Sequence, residues 1–250
     1  MPAKTVVVIP TYNERETIAP LIRAVLDQQQ HLADFSLTVL VVDSQSSDGT
    51  RESVRQLSEE APVQLLELQE RGLGLALSRA QEWAVQRLGA DIFVQMDADF
   101  SHDPSSLPSI LREIAQGNDL VIGARYIKGG GIQEWPLNRR VLSRGANLVI
   151  RLLTGKWQVH DWTSGYRALS AGLYNRLDRS AIAWDDYTLQ PALVYEAICK
   201  GGKVKEVPIR FVNRQRGESK LSAASYSVNI LRHFLVASLK QRLRSSRRAA

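Results

Sequence analysis

Residues 92–99 read IFVQMDAD, an apolar run that ends in two aspartates flanking an alanine. The run is too short for a stable helix and carries no polar alternation, the pattern of a strand buried on both faces. Residues 5–10 (TVVVIP) and 37–43 (LTVLVVD) have the same character. All three end in polar clusters: Asp97-Ala98-Asp99, Thr11-Tyr12-Asn13-Glu14 and Asp43-Ser44. Residues 63–68 and 120–122 read as further strands. Between the strands lie apolar residues at helical spacing, such as Ile18, Leu21, Ile22, Val25 and Leu26, and helical stretches at 74–88 and 107–115. Strand and helix in alternation imply an α/β fold with a mostly parallel central sheet and helices on both faces. Ligands of such sheets bind beyond the carboxyl ends of the strands, where the polar clusters lie.

The totals are those of an ordinary globular chain. Its 250 residues can bury an ample core, and 44% are hydrophobic and 23% charged. The single cysteine, Cys199, excludes an internal disulfide framework and fits a reducing compartment. No secretory leader pattern precedes the first strand, and no uncharged apolar run reaches the roughly 18 residues of a membrane span. The formal charge is +6, yet residues 219–250 alone hold seven basic side chains and no acid. The body is therefore close to neutral and the tail strongly basic, which points to an anionic surface partner. The tail also places Ile230, Leu231, Phe234, Leu235, Leu239 and Leu243 on one helical face. Two fates fit that face: docking on the domain, or lying in a membrane interface with its arginines on anionic headgroups. A nucleic-acid-binding reading of the basic tail is disfavoured, because the charges ride on an apolar-faced helix and no nucleic-acid module precedes them.

Several residues could carry chemistry. Two carboxylates at i and i+2 beyond a buried strand can hold one divalent cation that also takes diphosphate oxygens; Mg²⁺ or Mn²⁺ suits such oxygen-rich sites. Ser101 and His102 could complete or orient that centre. Asp43 could accept hydrogen bonds from a nucleobase or ribose, or could cap the next helix as Asp48 is expected to do. Glu14 could bind ligand or act as a first-turn helix acid. The second half is less regular. It contains the loop at 128–131 (KGGG), the pair Arg139-Arg140, an apolar helix pattern at 142–153, and a late strand at 203–212.

Seven segments occur in order: VVVIPTYNE, VVDSQSSDGT, RGLGLA, QMDADFSHDP, GARYIKGGG, RRVLSRGAN and DWTSGYRA. Together with the later EVPIRF and GESKL they resemble the family 2 glycosyltransferases, and within them the dolichyl- (polyprenyl-) phosphate mannose synthases. The likeness spans roughly residues 5–221. It implies a GT-A nucleotide-sugar-binding fold over residues 1–221, with a donor half at about 1–122 and an acceptor half at about 123–221. Residues 222–250 would form a basic amphipathic appendage. Pro10, Tyr12, Glu14 and Asp43 match nucleoside-binding positions, Asp97, Ala98 and Asp99 match the metal motif, and Ser101 matches a further metal ligand. Arg125, Arg139 and Ser143 match acceptor-phosphate positions. Arg214 and Lys220 match a basic loop that closes over the donor phosphates. Asp97, Asp99, Arg125 and Arg139 are then the catalytic set.

The activity implied is inverting transfer of mannose from GDP-mannose to polyprenyl or dolichyl phosphate with Mg²⁺ or Mn²⁺. Its setting would be the cytoplasm, at the cytoplasmic face of a membrane. A transferring diphosphate gains charge as its bond to sugar breaks, so cationic groups there stabilise the transition state. A lipid phosphate is already an anionic nucleophile and is best placed by guanidinium forks. Two departures leave alternatives open. Ser44 stands where the family often has a second acid, so UDP-glucose or another nucleotide-sugar stays in view, as does a soluble glycan acceptor. Residues 189–192 read LQPA where relatives carry F-Q-x-E, leaving Asp185 or Asp186 as candidates for the missing acid.

Overall fold

The computed structural model describes residues 1–182 and 188–213. Nine strands and seven α-helices alternate among them. They are β1 (Ala3–Thr11), α1 (Arg15–Leu26), β2 (Phe35–Ser44), α2 (Thr50–Glu60), β3 (Val63–Leu68), α3 (Leu73–Leu88), β4 (Ile92–Gln95), α4 (Leu107–Ala115) and β5 (Leu120–Ala124) in the first half. The second half adds β6 (Gly131–Gln133), α5 (Leu137–Thr154), β7 (Arg167–Ser170), α6 (Ala171–Arg176), α7 (Leu189–Cys199), β8 (Val204–Pro208) and β9 (Arg210–Val212).

Seven strands form one sheet in the order β3-β2-β1-β4-β7-β5-β8, and β6 and β9 form a small parallel pair. Each strand exposes alternate side chains to opposite faces, and both faces are covered. Val6 and Val8 of β1 point into a core with Ala76, Leu77, Ala80 and Ala84 of α3. Val7 and Ile9 point into a second core with Ile18, Leu21, Ile22 and Val25 of α1 and Leu107, Ile110 and Leu111 of α4. Two-sided burial explains why these strands read as continuous apolar runs. The helices follow from apolar residues at steps of three and four, which place one stripe on the sheet.

Two details depart from the sequence reading. The sheet is parallel except at β7, which pairs antiparallel with both β4 and β5 near its centre. The expected late strand at 203–212 is two strands. β8 pairs with β5 as far as Pro208, which has no N–H to continue a ladder. Ile209 then donates its N–H to Ala124 O (3.1 Å), and β9 continues on β6. The tail helix, Arg214, Lys220, Asp185 and Asp186 lie outside the described residues.

Candidate active site

The sheet order sets β2, β1 and β4 side by side, so their polar C-terminal ends converge. Thr11 is in register with Asp43, and Val8 with Gln95, two residues before Asp97. Beyond β1 the chain turns at Asn13 (φ 55°), and the turn is tied to the β2–α2 loop. The Asn13 N–H donates to Ser46 Oγ (2.8 Å), and Asn13 Oδ1 accepts from the Ser47 N–H (2.9 Å). The Glu14 N–H donates to Thr50 Oγ1 (3.0 Å). Glu14 is the residue at the N-terminal boundary of α1, and its carboxylate accepts from Thr17 Oγ1 (3.1 Å). The Arg71 guanidinium sits 4.3 Å from the centre of the Tyr12 ring, so a segment after β3 also reaches this edge.

Asp43 is fully buried. Its Oδ1 accepts from the Ser46 N–H (3.0 Å) and from Arg51 Nε, while Oδ2 has no hydrogen-bond partner among the described residues. A buried carboxylate oxygen without a partner is costly unless something donates to it, so Asp43 suits a base or ribose hydrogen donor. The alternative role of helix cap is not taken: α2 begins after Gly49, which adopts φ 94°. Asp48, the expected cap, lies one residue earlier and accepts from the N–H groups of Thr50 (3.0 Å) and Arg15 (3.1 Å). Burial alone would raise its carboxyl pKa, but the Thr50 hydroxyl and these backbone donors hold it below the ordinary value.

Asp97 and Asp99 follow β4 directly. The Asp99 carboxylate accepts from the N–H of Ser101 (3.0 Å), and Ser101 itself is buried. The Asp97 N–H donates to His102 Nδ1 (3.0 Å), so the imidazole is neutral with its proton on Nε2. Burial lowers the His102 pKa against the opposing pull of Asp97 and Asp99, which agrees with that neutral state. Gly165 leaves room beside the pair: a Cβ there would stand 3.5 Å from Asp97 Oδ1 and 3.2 Å from His102 Cε1. Among the described residues no group of three or more His, Cys, Asp or Glu side chains gathers in one place. Among the described residues the acid pair stands as two carboxylates at the sheet edge. This fits a cation that keeps waters and takes phosphate oxygens, as Mg²⁺ and Mn²⁺ do, and not a fully caged ion.

The basic half of the site adjoins this centre through an aromatic wall. The His102 ring lies 5.3 Å from Phe211, and Phe211 lies 5.2 Å from Trp135, both edge to face. The Arg139 guanidinium stacks 3.9 Å from the centre of the Trp135 ring and donates to Asn213 Oδ1 (3.2 Å). Arg125, first residue after β5, sits 5.5 Å from Trp135 and 5.6 Å from Phe211. The structure therefore gathers Pro10, Tyr12, Glu14, Asp43, Asp97, Ala98, Asp99 and Ser101 at the strand ends, with Arg125 and Arg139 along the adjoining wall. Ser143 lies one turn after Arg139 on α5, where its carbonyl accepts from Asn147 Nδ2 (2.9 Å).

Arg125 is more tightly held than its motif suggests. Its Nε and Nη2 each donate to one oxygen of Asp161 at 2.7 Å, its backbone N–H donates to Asp161 Oδ2 (2.9 Å), and Nη2 also reaches Thr163 Oγ1 (2.8 Å). Burial would raise the Asp161 carboxyl, but the Arg125 charge and its donors outweigh it and keep the group below its ordinary pKa. Asp161 lies in the segment DWTSGYRA, so its motif was visible while its partner was not. Arg71 at Tyr12 and the Phe211 ring likewise lie in quoted segments, RGLGLA and EVPIRF, with their partners invisible there, whereas Arg51 at Asp43 and the Trp135 ring carried no motif signal.

A mostly parallel sheet with helices on both faces, an acid pair past β4 and a polar edge past β1 and β2 is the architecture of a GT-A fold. It superposes on glucosyl-3-phosphoglycerate synthase of Mycobacterium tuberculosis solved with Mn²⁺, UDP and phosphoglyceric acid. The TM-score is 0.71 at 20% identity, over 94% of this chain and 78% of that one, a likeness of fold alone. The chain belongs to glycosyl transferase family 2, whose family model matches residues 6–177. It is 39% identical to polyprenol monophosphomannose synthase of Mycolicibacterium smegmatis over 89% of this chain and 82% of that protein. It is 37% identical to undecaprenyl-phosphate mannosyltransferase of Micrococcus luteus over 94% and 95%. Dolichol-phosphate mannosyltransferase of Pyrococcus furiosus is 36% identical over 92% of this chain, which spans 62% of that longer protein.

Proposed function

We propose that this glycosyltransferase moves mannose, with inversion, from GDP-mannose to a polyprenyl phosphate of the dolichyl or undecaprenyl kind. The observation that carries the reading is the shared wall on which an acid pair, Asp97 and Asp99, adjoins two oriented guanidinium groups, Arg125 and Arg139. The names of the three sequence relatives support the acceptor and the sugar.

In this reading Asp43 accepts from the nucleoside, and Tyr12 with Arg71 flanks the base edge. Asp97 and Asp99, with Ser101 beside them, would hold a divalent cation that neutralises charge on the departing diphosphate. Arg125 and Arg139, with Ser143, orient the lipid phosphate so that one of its oxygens faces the anomeric carbon opposite the leaving group. That oxygen forms the new glycosidic bond as the bond to the nucleoside diphosphate breaks. The acceptor is already ionised at neutral pH, so no proton need be removed. Arg214 and Lys220 are assigned contact with the donor phosphates.

A lipid acceptor calls for contact with a bilayer. Helix α5 turns Leu137, Val141, Leu148 and Leu152 to solvent, with Arg140, Arg144 and Arg151 interleaved. An apolar stripe beside arginines fits the interface of an anionic membrane, and α5 also bears Arg139 and Ser143. The same role is assigned to the basic segment 222–250, which would place the enzyme peripherally on the cytoplasmic face. No helix among the described residues is long and apolar enough to cross a membrane. The deciding assay incubates the protein with labelled GDP-mannose or UDP-glucose, undecaprenyl phosphate in vesicles, and Mg²⁺ or Mn²⁺. Organic-extractable label from GDP-mannose is expected. Label from UDP-glucose instead overturns the donor, and transfer to a water-soluble glycan overturns the acceptor.

A further inference from the structure

Glu206 lies in β8, in register with Ile122 of β5, three residues before Arg125. Its side chain is only 7% exposed, and three donors meet on its carboxylate. Oε1 accepts from the N–H groups of His160 (2.8 Å) and Asp161 (2.7 Å), and Oε2 lies 2.8 Å from His160 Nδ1. These bonds fix the main chain at the residue whose carboxylate pairs with Arg125. The path is thus short: Glu206 holds the Asp161 backbone, Asp161 faces Arg125 through two parallel bonds, and Arg125 stands against Trp135 and Phe211. Ile209, just past the end of β8 and three residues after Glu206, donates to the carbonyl of Ala124, the residue before Arg125.

We infer that Glu206 is a positioning residue for the acceptor phosphate, acting through Asp161 on Arg125. The inference rests on the reading of Arg125 as an acceptor-phosphate ligand. Losing a carboxylate on an edge strand that merely sealed two loop amides would lower stability without separating the two substrates. Here the amides belong to the one turn whose displacement would swing a bidentate pair. Fixed-fork pairs tolerate little misplacement, and a shift on the order of 1 Å in a positioning group can cost about 10²-fold in rate.

The test uses the full chain with GDP-mannose, undecaprenyl phosphate in vesicles and metal. Glu206→Ala should raise the acceptor KM by roughly 10- to 100-fold while the donor KM stays within about twofold. Glu206→Gln, which keeps an oxygen for both amides, should stay close to wild type. Where the alanine variant does not fold, Glu206→Asp withdraws the carboxylate by one methylene and should show the same split. Arg125 position is read independently of turnover from its Nε–H resonance in a ¹⁵N spectrum, assigned by its loss in Arg125→Lys. A shifted or broadened signal in the folded Glu206 variant is expected; an unmoved signal overturns the relay, as does a parallel rise of both KM values. An unchanged acceptor KM in Arg125→Lys overturns the acceptor reading of Arg125 instead, and the resonance still decides whether Glu206 positions it.

Discussion

Removing the charge of Asp161 while keeping its shape tests the electrostatics of the basic half directly. The Asp161 side chain is completely buried and that of Arg125 nearly so, at 0% and 5% exposed. In Asp161→Asn, one carboxylate oxygen becomes an NH₂ group that must face a guanidinium donor or the Arg125 N–H. At least one of the 2.7 Å bonds becomes a donor-to-donor contact, and a buried cation loses its counter-charge. Breaking a buried pair from one side costs about 3–5 kcal/mol, or roughly 6–20 °C in Tm for a chain of this size. Arg125→Met, removing the other partner, should cost a similar amount. If both losses come from an unpaired charge, the double variant Arg125→Met with Asp161→Leu should lose far less than their sum of roughly 6–10 kcal/mol. About 1–3 kcal/mol should remain, because the N–H of residue 125 still loses the oxygen that it bonds at 2.9 Å. Urea unfolding at neutral pH measures all three.

The pH dependence supplies a second sign. The folded Asp161 carboxyl titrates below the ordinary value of a free aspartate, so its contribution is present above that ordinary value and fades as pH falls through the folded pKa. The acid limb of wild type should therefore be steeper below about pH 4 than that of Asp161→Asn. Single variants that each lose under about 1 kcal/mol, as an exposed ion pair does, or a double variant that loses the full sum, would refute the reasoning.

Three other variants probe the remaining parts. Asp99→Ala should cut transfer by at least about 10²-fold and abolish Mn²⁺-enhanced nucleotide binding in calorimetry; an active variant that ignores metal removes the acid pair from its role. Leu148→Glu with Leu152→Glu adds two charges to the exposed face of α5 and should lower sedimentation with anionic vesicles by about tenfold or more. Transfer to a short-chain soluble acceptor should be spared, and unchanged sedimentation would clear α5 of membrane contact. Gly130→Ala places a Cβ 2.5 Å from the carbonyl oxygen of Ala124, a backbone atom with no rotamer to retreat to. It should destabilise by about 1–3 kcal/mol, and thermal melts at wild-type Tm would show that the loop relaxes freely.

The first half of the chain was legible because its signals are local. A parallel strand covered on both faces must be apolar throughout, so β1, β2 and β4 announce themselves, and each is followed by a polar cluster at the sheet's C-terminal edge. The second half is built from pairings that have no local pattern. β7 is four residues, RALS, without a β-branched side chain and with a buried arginine at its start, and only its two neighbours make it a strand. The late strand was read as one element because its composition is uniform, whereas Pro208 divides its hydrogen bonding between two sheets. Arg51 reaches Asp43 from the first turn of α2, eight residues on, a spacing with no periodic meaning until the helix is placed over the loop. Helix α5 begins five residues before its apolar pattern does, because its first turn carries Arg139 and Arg140 and buries none of its side chains.

The order of the strands also has a physical consequence. β7 comes from the second half of the chain yet sits between β4, which delivers the acid pair, and β5, which delivers Arg125. The residues that lead into it serve both sides at once. Asp161 grips Arg125, and four residues later Gly165 leaves the space beside Asp97 and His102. Five residues of one loop therefore set the distance between the acid pair and the basic group. For a transfer in which the acceptor oxygen must meet the sugar carbon opposite a departing diphosphate, that distance is the quantity to be held constant. A shift of the 161–165 loop would move the acceptor cation and the carboxylate edge relative to each other while leaving each cluster internally intact. Such a change should lower the rate of the bound complex in addition to weakening acceptor binding, with donor affinity spared, which sets it apart from substitutions among the donor-side residues.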